Sequence, residues 1–284
     1  MRTEPVSRTP GPDDTVQVNR RPGRLGVKHW LDEVIAYSEL LANLVARDLK
    51  TKYRGSFFGI FWSLLNPLLL MLVYTLVFSV IVRVNIHPYA IFLLTGLVPW
   101  NAFAQSLTTA TTSVLDNAQI VRKIYFPLQL LPLSAVLAIS VNFAINIGLL
   151  AVLTVVFRAN LGATMLLLPV LVVVQLAFTF GLASLLAAAQ VYFRDVQYFL
   201  GILITAWFFL TPIVYSLDLV PQRLRPILAL NPMAWDISSF QDIWFYGRLP
   251  NWSYFLGFCA ISALTLLVGI VVYGRLSLRF AEEV

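Results

Sequence analysis

The chain has 284 residues and a net charge of +6, with 59% hydrophobic residues and only 12% charged ones. A soluble domain of this length carries about 25% charged residues, so the composition leaves little room for a separate soluble domain. Nor does the basic balance point to nucleic acid, because Lys and Arg flank long apolar stretches instead of forming one run, as orientation in a bilayer requires. Six stretches contain no Asp, Glu, Lys or Arg: residues 55–82, 84–115, 124–157, 159–193, 196–217 and 249–274. Each exceeds the roughly 20 residues a helix needs to cross ~30 Å of hydrocarbon. The expected fold class is therefore an all-α integral membrane protein with six transmembrane helices.

Residues 1–33 are polar, carry Pro5, Pro10, Pro12 and Pro22, and read as a disordered cytoplasmic tail with no signal peptide. Residues 34–54 form an amphipathic pattern. Val34, Tyr37, Leu40, Leu41, Leu44, Val45 and Leu49 share one half of a helical wheel, and Glu39, Asn43, Arg47, Lys50 and Arg54 lie opposite. That pattern fits an interface helix feeding a span, either as an anchor or as a docking surface for a cytoplasmic partner. Asp48 points to the apolar half and is expected to pair with Lys52 one turn on. The six spans follow at about 57–82, 90–113, 128–157, 163–193, 197–217 and 252–274, and Asn66-Pro67 is expected to kink the first. Asn142 and Asn146, one turn apart on the third, are expected to hydrogen-bond a neighbouring helix, since an amide facing lipid would be unpaired. Residues 218–250 are too long for a turn and too polar to span. Their aromatics, Trp235, Phe240, Trp244, Phe245 and Tyr246, suit short helices at the outer interface, with Asn231-Pro232 separating two of them.

With the N-terminus inside, the outer segments hold Arg83, Arg158, Arg223, Arg225 and Arg248, and the other fifteen of the 20 Lys and Arg fall inside. The bias follows the positive-inside rule and puts both termini in the cytoplasm.

Catalytic machinery is missing. No GxxxxGK[ST] loop holds ATP, and His29 and His87, the two histidines, fall on opposite sides of the membrane. No metal site is expected, and Cys259, the lone cysteine, reads as a small buried hydrophobe. The spans carry no ionisable pair of the kind that couples transport to ions. If the chain transports, its energy comes from another subunit. The segment DNAQIVRKIYFPLQLLP, residues 116–132, reads as a short cytoplasmic helix built to receive it. Asp116 stands near its start, Arg122 and Lys123 near its end, and Ile120, Val121, Ile124, Tyr125 and Phe126 are more hydrophobe than a free loop should expose.

Three strings carry a family resemblance. RDLKTKYRGSFFGIFWSLLNPLLL (47–70) resembles the entry signature of membrane subunits of type-2 ABC exporters, in particular those of polysaccharides such as O-antigen, teichoic acid or galactan. VRKIYFPLQLLP (121–132) resembles that family's coupling helix, and NPMAWDISSFQDIWFYG (231–247) its outer region before the last span. The resemblance implies a homodimer bound to two separate nucleotide-binding subunits, which hold the ATP and Mg, with no cofactor in this chain. It implies ATPase coupling through Arg47, Lys50, Arg54, Asn117, Arg122, Lys123, Tyr125 and Phe126. It implies an outer gate at 218–250 with Trp235, Phe240 and Trp244.

Aromatic rings cover the C–H face of a sugar while hydroxyls find hydrogen bonds. Tyr74, Phe78, Trp100, Phe103, Trp207, Phe208 and Tyr215 are therefore candidates to line a glycan channel. The function expected is the transmembrane subunit of an ATP-driven exporter of a lipid-linked polysaccharide in a bacterial plasma membrane, a transport subunit rather than an enzyme. A type-2 exporter of a drug or small lipid would share the fold. A membrane-embedded glycosyl- or acyltransferase would need acid–base residues, and the outer acids Asp218, Asp236 and Asp242 have no histidine near them.

Overall fold

A computed structural model describes residues 27–84, 86–123, 126–157, 162–223 and 225–283, and all regular structure among them is helical. The expected tail up to residue 26 lies outside the described residues, as do Ile124, Tyr125 and Arg158.

Helix α1 (Val27–Ala36) starts ahead of the predicted amphipathic segment and is followed at once by α2 (Ser38–Tyr53). The first span is α3 (Trp62–Thr75), which runs on as a π-helical turn through Leu76–Ile81. Next come α4 (Tyr89–Asp116), the short α5 (Ala118–Lys123) and α6 (Leu130–Val156). A 3-10 turn, Ala163–Leu167, opens α7 (Leu168–Tyr192). Then follow α8 (Val196–Phe209), α9 (Arg225–Ala229), α10 (Pro232–Phe240) with a π-helical extension Gln241–Phe245, α11 (Trp252–Leu276) and the terminal turn α12 (Phe280–Glu283).

Five helical segments among the described residues are long and apolar enough to cross a membrane: Trp62–Ile81, Tyr89–Asp116, Leu130–Val156, Ala163–Tyr192 and Trp252–Arg279. The expected fifth span, 197–217, differs. Its helix, α8, has 14 residues, about 21 Å at 1.5 Å per residue, and is by itself shorter than the ~30 Å hydrocarbon layer. Pro212 explains the stop, since it lacks an N–H and biases Thr211 away from helical geometry.

The spans are unequally covered. Of the most apolar window of α4, 78% is buried within the chain, against 6% for the first span. Helix α4 is thus the central post and α3 stands at the periphery. Helices α7 and α11 approach closest, through glycine on each side. A Cβ built on Gly181 would lie 2.5 Å from the Thr265 carbonyl oxygen, and one on Gly269 would collide with the Gly181 carbonyl. Small residues at such a contact let membrane helices gain packing where no hydrophobic drive exists between them. Gly96 does the same for α4, where a Cβ would lie 3.2 Å from the Ile213 backbone and 3.3 Å from the Ile237 side chain.

The 232–245 segment was expected at the outer interface. It is folded against the bundle, with Met233, Asp236, Ile237 and Ile243 fully buried. Its apolar residues pack on α4, α7 and α11, which hides more hydrophobic area than an interfacial seat would.

Candidate functional site

Where α2 meets the α4–α5 corner and the start of α6, four side chains from three elements form one knot. Arg47 on α2 donates from Nη1 to Asn117 Oδ1 (2.8 Å) at the α4–α5 corner, and Asn117 Nδ2 donates back to the Ser113 carbonyl (2.7 Å). Arg47 Nη2 also lies 2.8 Å from Asp48 Oδ1, while Ser134 Oγ on α6 donates to Asp48 Oδ2 (3.2 Å). The expected Asp48–Lys52 pair is not formed. Asp48 turns toward Ser134 and its neighbour Arg47, and Lys52 Nζ donates to Gln105 Oε1 on α4 (3.1 Å). Two of the predicted coupling residues, Arg47 and Asn117, are thus in direct contact. Lys50, Arg54, Arg122 and Lys123 are exposed. Phe126, expected to await a partner, is buried with Val121 in the chain's own core. The surface of this end is therefore cationic more than apolar.

Six of the seven predicted lining aromatics are brought together. Tyr74 stacks on Phe208 (6.2 Å between centroids) and neighbours Phe78 (6.3 Å). Phe208 meets Trp100 (5.8 Å), and Trp207 meets Phe103 (5.3 Å). They divide by exposure. Trp100 and Phe103 are 3% and 0% exposed and serve as packing, whereas Tyr74, Phe78, Trp207 and Phe208 are half-buried and offer ring surface. Tyr215 stands apart, its hydroxyl donating to the Phe209 carbonyl (2.9 Å).

Where α8 ends, Asn231 closes the backbone. Its Oδ1 accepts from Trp207 Nε1 (2.7 Å) and from the Met233 N–H (3.0 Å), capping α10, and its Nδ2 donates to the Leu210 carbonyl (3.1 Å) and Thr211 Oγ1 (3.0 Å). Non-helical backbone at membrane depth is tolerated only where such partners exist. Sequence reasoning saw Asn231-Pro232 as a separator. The cap with proline at the first helical position was the available signal, and the bond to Trp207 was not visible.

The three predicted gate aromatics are all held. Trp244 Nε1 donates to Thr154 Oγ1 on α6 (2.8 Å), Phe240 packs edge-on against Phe143 (6.3 Å), and Trp235 lies over Gly257 and stacks on Tyr254 (6.4 Å). Tyr89 and Gln241 brace the chain after α8 by donating to the carbonyls of Val214 (2.9 Å) and Pro212 (2.8 Å). Asp236, fully buried on α10, has no hydrogen-bond partner for either oxygen among the described residues, and burial pushes its carboxyl well above the usual carboxylate range.

Two polar features were missed by the sequence reading. Over its C-terminal half, the otherwise buried α4 shows Asn101, Gln105, Thr108, Thr109, Thr112 and Asp116 at exposed or half-buried positions. These residues recur at intervals of three and four, which is one helical face. The face is flanked on one side by Gln197 and Tyr198 of α8, which with Thr108, Thr109 and Thr112 line an open groove. On the other side lies a cleft of about 230 Å³ between the end of α2 and helices α3, α4 and α6, bordered by Asn66, Asn101, Gln105, Asn142 and Asn146.

Comparison with known proteins agrees with this architecture. The profile of the ABC-2 type transporter family matches residues 39–245. The chain is similar to a protein of Myxococcus xanthus named O-antigen export system permease protein RfbA, at 37% identity over 254 residues, covering 89% of this chain and 98% of that one. It is also similar to a Klebsiella pneumoniae protein of the same name, at 34% identity over 245 residues, covering 86% and 94%.

Proposed function

Since this chain belongs to the ABC-2 type transporter family and is a multi-pass transport subunit of an export system, we propose that it carries a lipid-linked polysaccharide of the O-antigen kind out across a bacterial plasma membrane. It works as one of two identical copies, with two nucleotide-binding subunits that hold ATP and Mg on the cytoplasmic side, where both termini lie. The relatives' names support the cargo. So does the single observation that carries the reading within the chain: the uncovered polar face of α4. Thr108 and Thr112 donate back to their own helix and Asp116, but the amides of Asn101 and Gln105 and the Asp116 carboxyl would forgo hydrogen bonds in hydrocarbon, so this face lines a wet path. A polymer of hydroxyl-bearing sugars can slide along such a path by exchanging one hydrogen bond for the next.

Coupling follows from the cytoplasmic knot. The exposed cations Lys50, Arg54, Arg122 and Lys123 present the docking charge to the ATPase, and α5 takes the push. The Arg47–Asn117 bond, with Asp48 and Ser134 behind it, passes displacement of α5 to α2, α4 and α6 together. Beyond the polar half, the half-buried Tyr74, Phe78, Trp207 and Phe208 continue the path. The 232–245 segment, braced by Trp244, Phe240 and Trp235, closes its outer end.

Deletion of the gene in its own host tests the assignment. Lipid-linked glycan should accumulate on the cytoplasmic face while its synthesis continues, and the surface should lose it. Normal surface glycan in the deletion strain would refute the cargo.

A further inference from the structure

The cleft between α2, α3, α4 and α6 has a composition that the conduit alone does not require. Asn66, Asn101 and Asn146 make no side-chain hydrogen bond among the described residues, and the carbonyl oxygen of Asn146 is closed off from solvent without a partner. Asn66 is exposed and Asn101 half-buried, so two amides without a protein partner face the cleft beside the unpaired Asn146, and together they suit a polar occupant. Trp62 stands at the rim, 44% exposed, offering a free aromatic face.

The donor set distinguishes the occupants. A phosphate or diphosphate takes donors only and wants several cations. This cleft offers Lys52, whose ammonium is turned to Gln105 and whose pKa is lowered by burial. Its remaining polar lining is largely neutral amide, with as many acceptors as donors. Sugar hydroxyls, which donate and accept at once, match that balance, and a ring's C–H face matches an exposed indole. The volume of about 230 Å³ equals the share of about eight waters in the liquid, room for one sugar ring and not for a chain.

We propose that this cleft is a saccharide subsite at the cytoplasmic entry, holding one sugar ring through Asn66, Asn101 and Asn146 with Trp62 against its apolar face. The assignment rests on the glycan reading above. It places the first ring beside the polar face of α4, so the path begins at a defined station. Phe143, which also lines the cleft, packs on Phe240 of α10, so an occupied cleft touches the chain of contacts that leads to the outer segment.

The test uses cells that make the native glycan and carry the intact transporter with a hydrolysis-deficient ATPase. A photoreactive benzoylphenylalanine replaces Trp62 in one strain, Tyr198 in a second and the exposed Val173 in a third. Irradiation is expected to give a carbohydrate-staining adduct at 62 and 198 and none at 173. Asn101→Leu together with Asn146→Leu, neither of which breaks a bond within the protein, should lower the yield at 62 about tenfold and leave that at 198 within twofold. In the native chain, Trp62→Ala should slow export and Trp62→Phe should restore it. A carbohydrate adduct at 198 but not at 62 overturns the subsite and leaves the glycan reading standing. An adduct at 62 that contains lipid phosphate and no sugar also overturns it. Absence of a carbohydrate adduct at both positions, in cells shown to accumulate the lipid-linked glycan, removes the glycan reading and the subsite with it.

Discussion

Leucine in place of Gly269 is expected to leave no folded bundle to purify, and alanine there to yield a markedly less stable one. The reason is local and geometric. A Cβ at Gly269 would collide with the Gly181 carbonyl and lie 2.9 Å from the Gly181 Cα. Both obstacles are backbone in the middle of a helix, so neither can turn aside as a side-chain tip would. The clash can be relieved only by moving α7 and α11 apart, and that separation strips contacts along both helices. Overpacking of a tight core costs about 1–3 kcal/mol for one or two extra methylenes, and a leucine adds more. Thermal melting in detergent is the measurement, with Gly148→Ala as comparator because a Cβ there meets nothing within 4 Å. Gly269→Ala should melt several degrees below the parent chain and Gly148→Ala with it. Equal melting of all three would mean that α7 and α11 are not packed as described.

The second large effect concerns coupling. Arg47→Ala and Asn117→Ala should each lower glycan moved per ATP hydrolysed about tenfold while hydrolysis continues. The two residues share one bond of 2.8 Å, and removal of either partner leaves the other's polar group without its designed contact. The double variant should therefore be no worse than the single ones, because groups in one network are not additive. Losing Arg47 also strips Asp48 of its ion pair and leaves it the Ser134 hydroxyl alone, so Arg47→Ala should be the more severe. The ratio is read in vesicles by following glycan transport and phosphate release together. Additive losses, or a coupling ratio untouched by either change, would show that force does not travel through this contact.

Much of this was legible in the chain, and the failures have physical causes. The long spans could be read because burying a charge in lipid is so unfavourable that its absence over 26 or more residues has one explanation. The fifth span was misjudged because an uncharged stretch says nothing of helix continuity. Pro212 was in plain view, and its effect on Thr211 ends α8 at Phe209, eight residues before the uncharged stretch ends at Leu217. Asp48 and Lys52 have the spacing of a helical ion pair, yet Asp48 found Ser134, a residue 86 positions away. Local spacing cannot weigh a neighbour supplied by the fold. Aromatic type was readable and facing was not. Helices that are apolar all round carry no stripe to orient them, so Trp100 and Phe103, now buried, looked the same as Trp207 and Phe208. The polar face of α4 is the opposite case. Asn101, Gln105, Thr108, Thr109, Thr112 and Asp116 were all visible at helical spacing, but their spacing alone does not say that the fold leaves this face of α4 uncovered.

The most direct measurement reconstitutes the purified chain in vesicles, with and without its nucleotide-binding subunits, and follows protection of an added lipid-linked glycan from an external glycosidase. Glycan should move only when the ATPase, Mg and ATP are all present, and not at all with this chain alone. Sustained transport by the chain by itself, or transport indifferent to nucleotide in the full assembly, would contradict a subunit that conducts but does not drive.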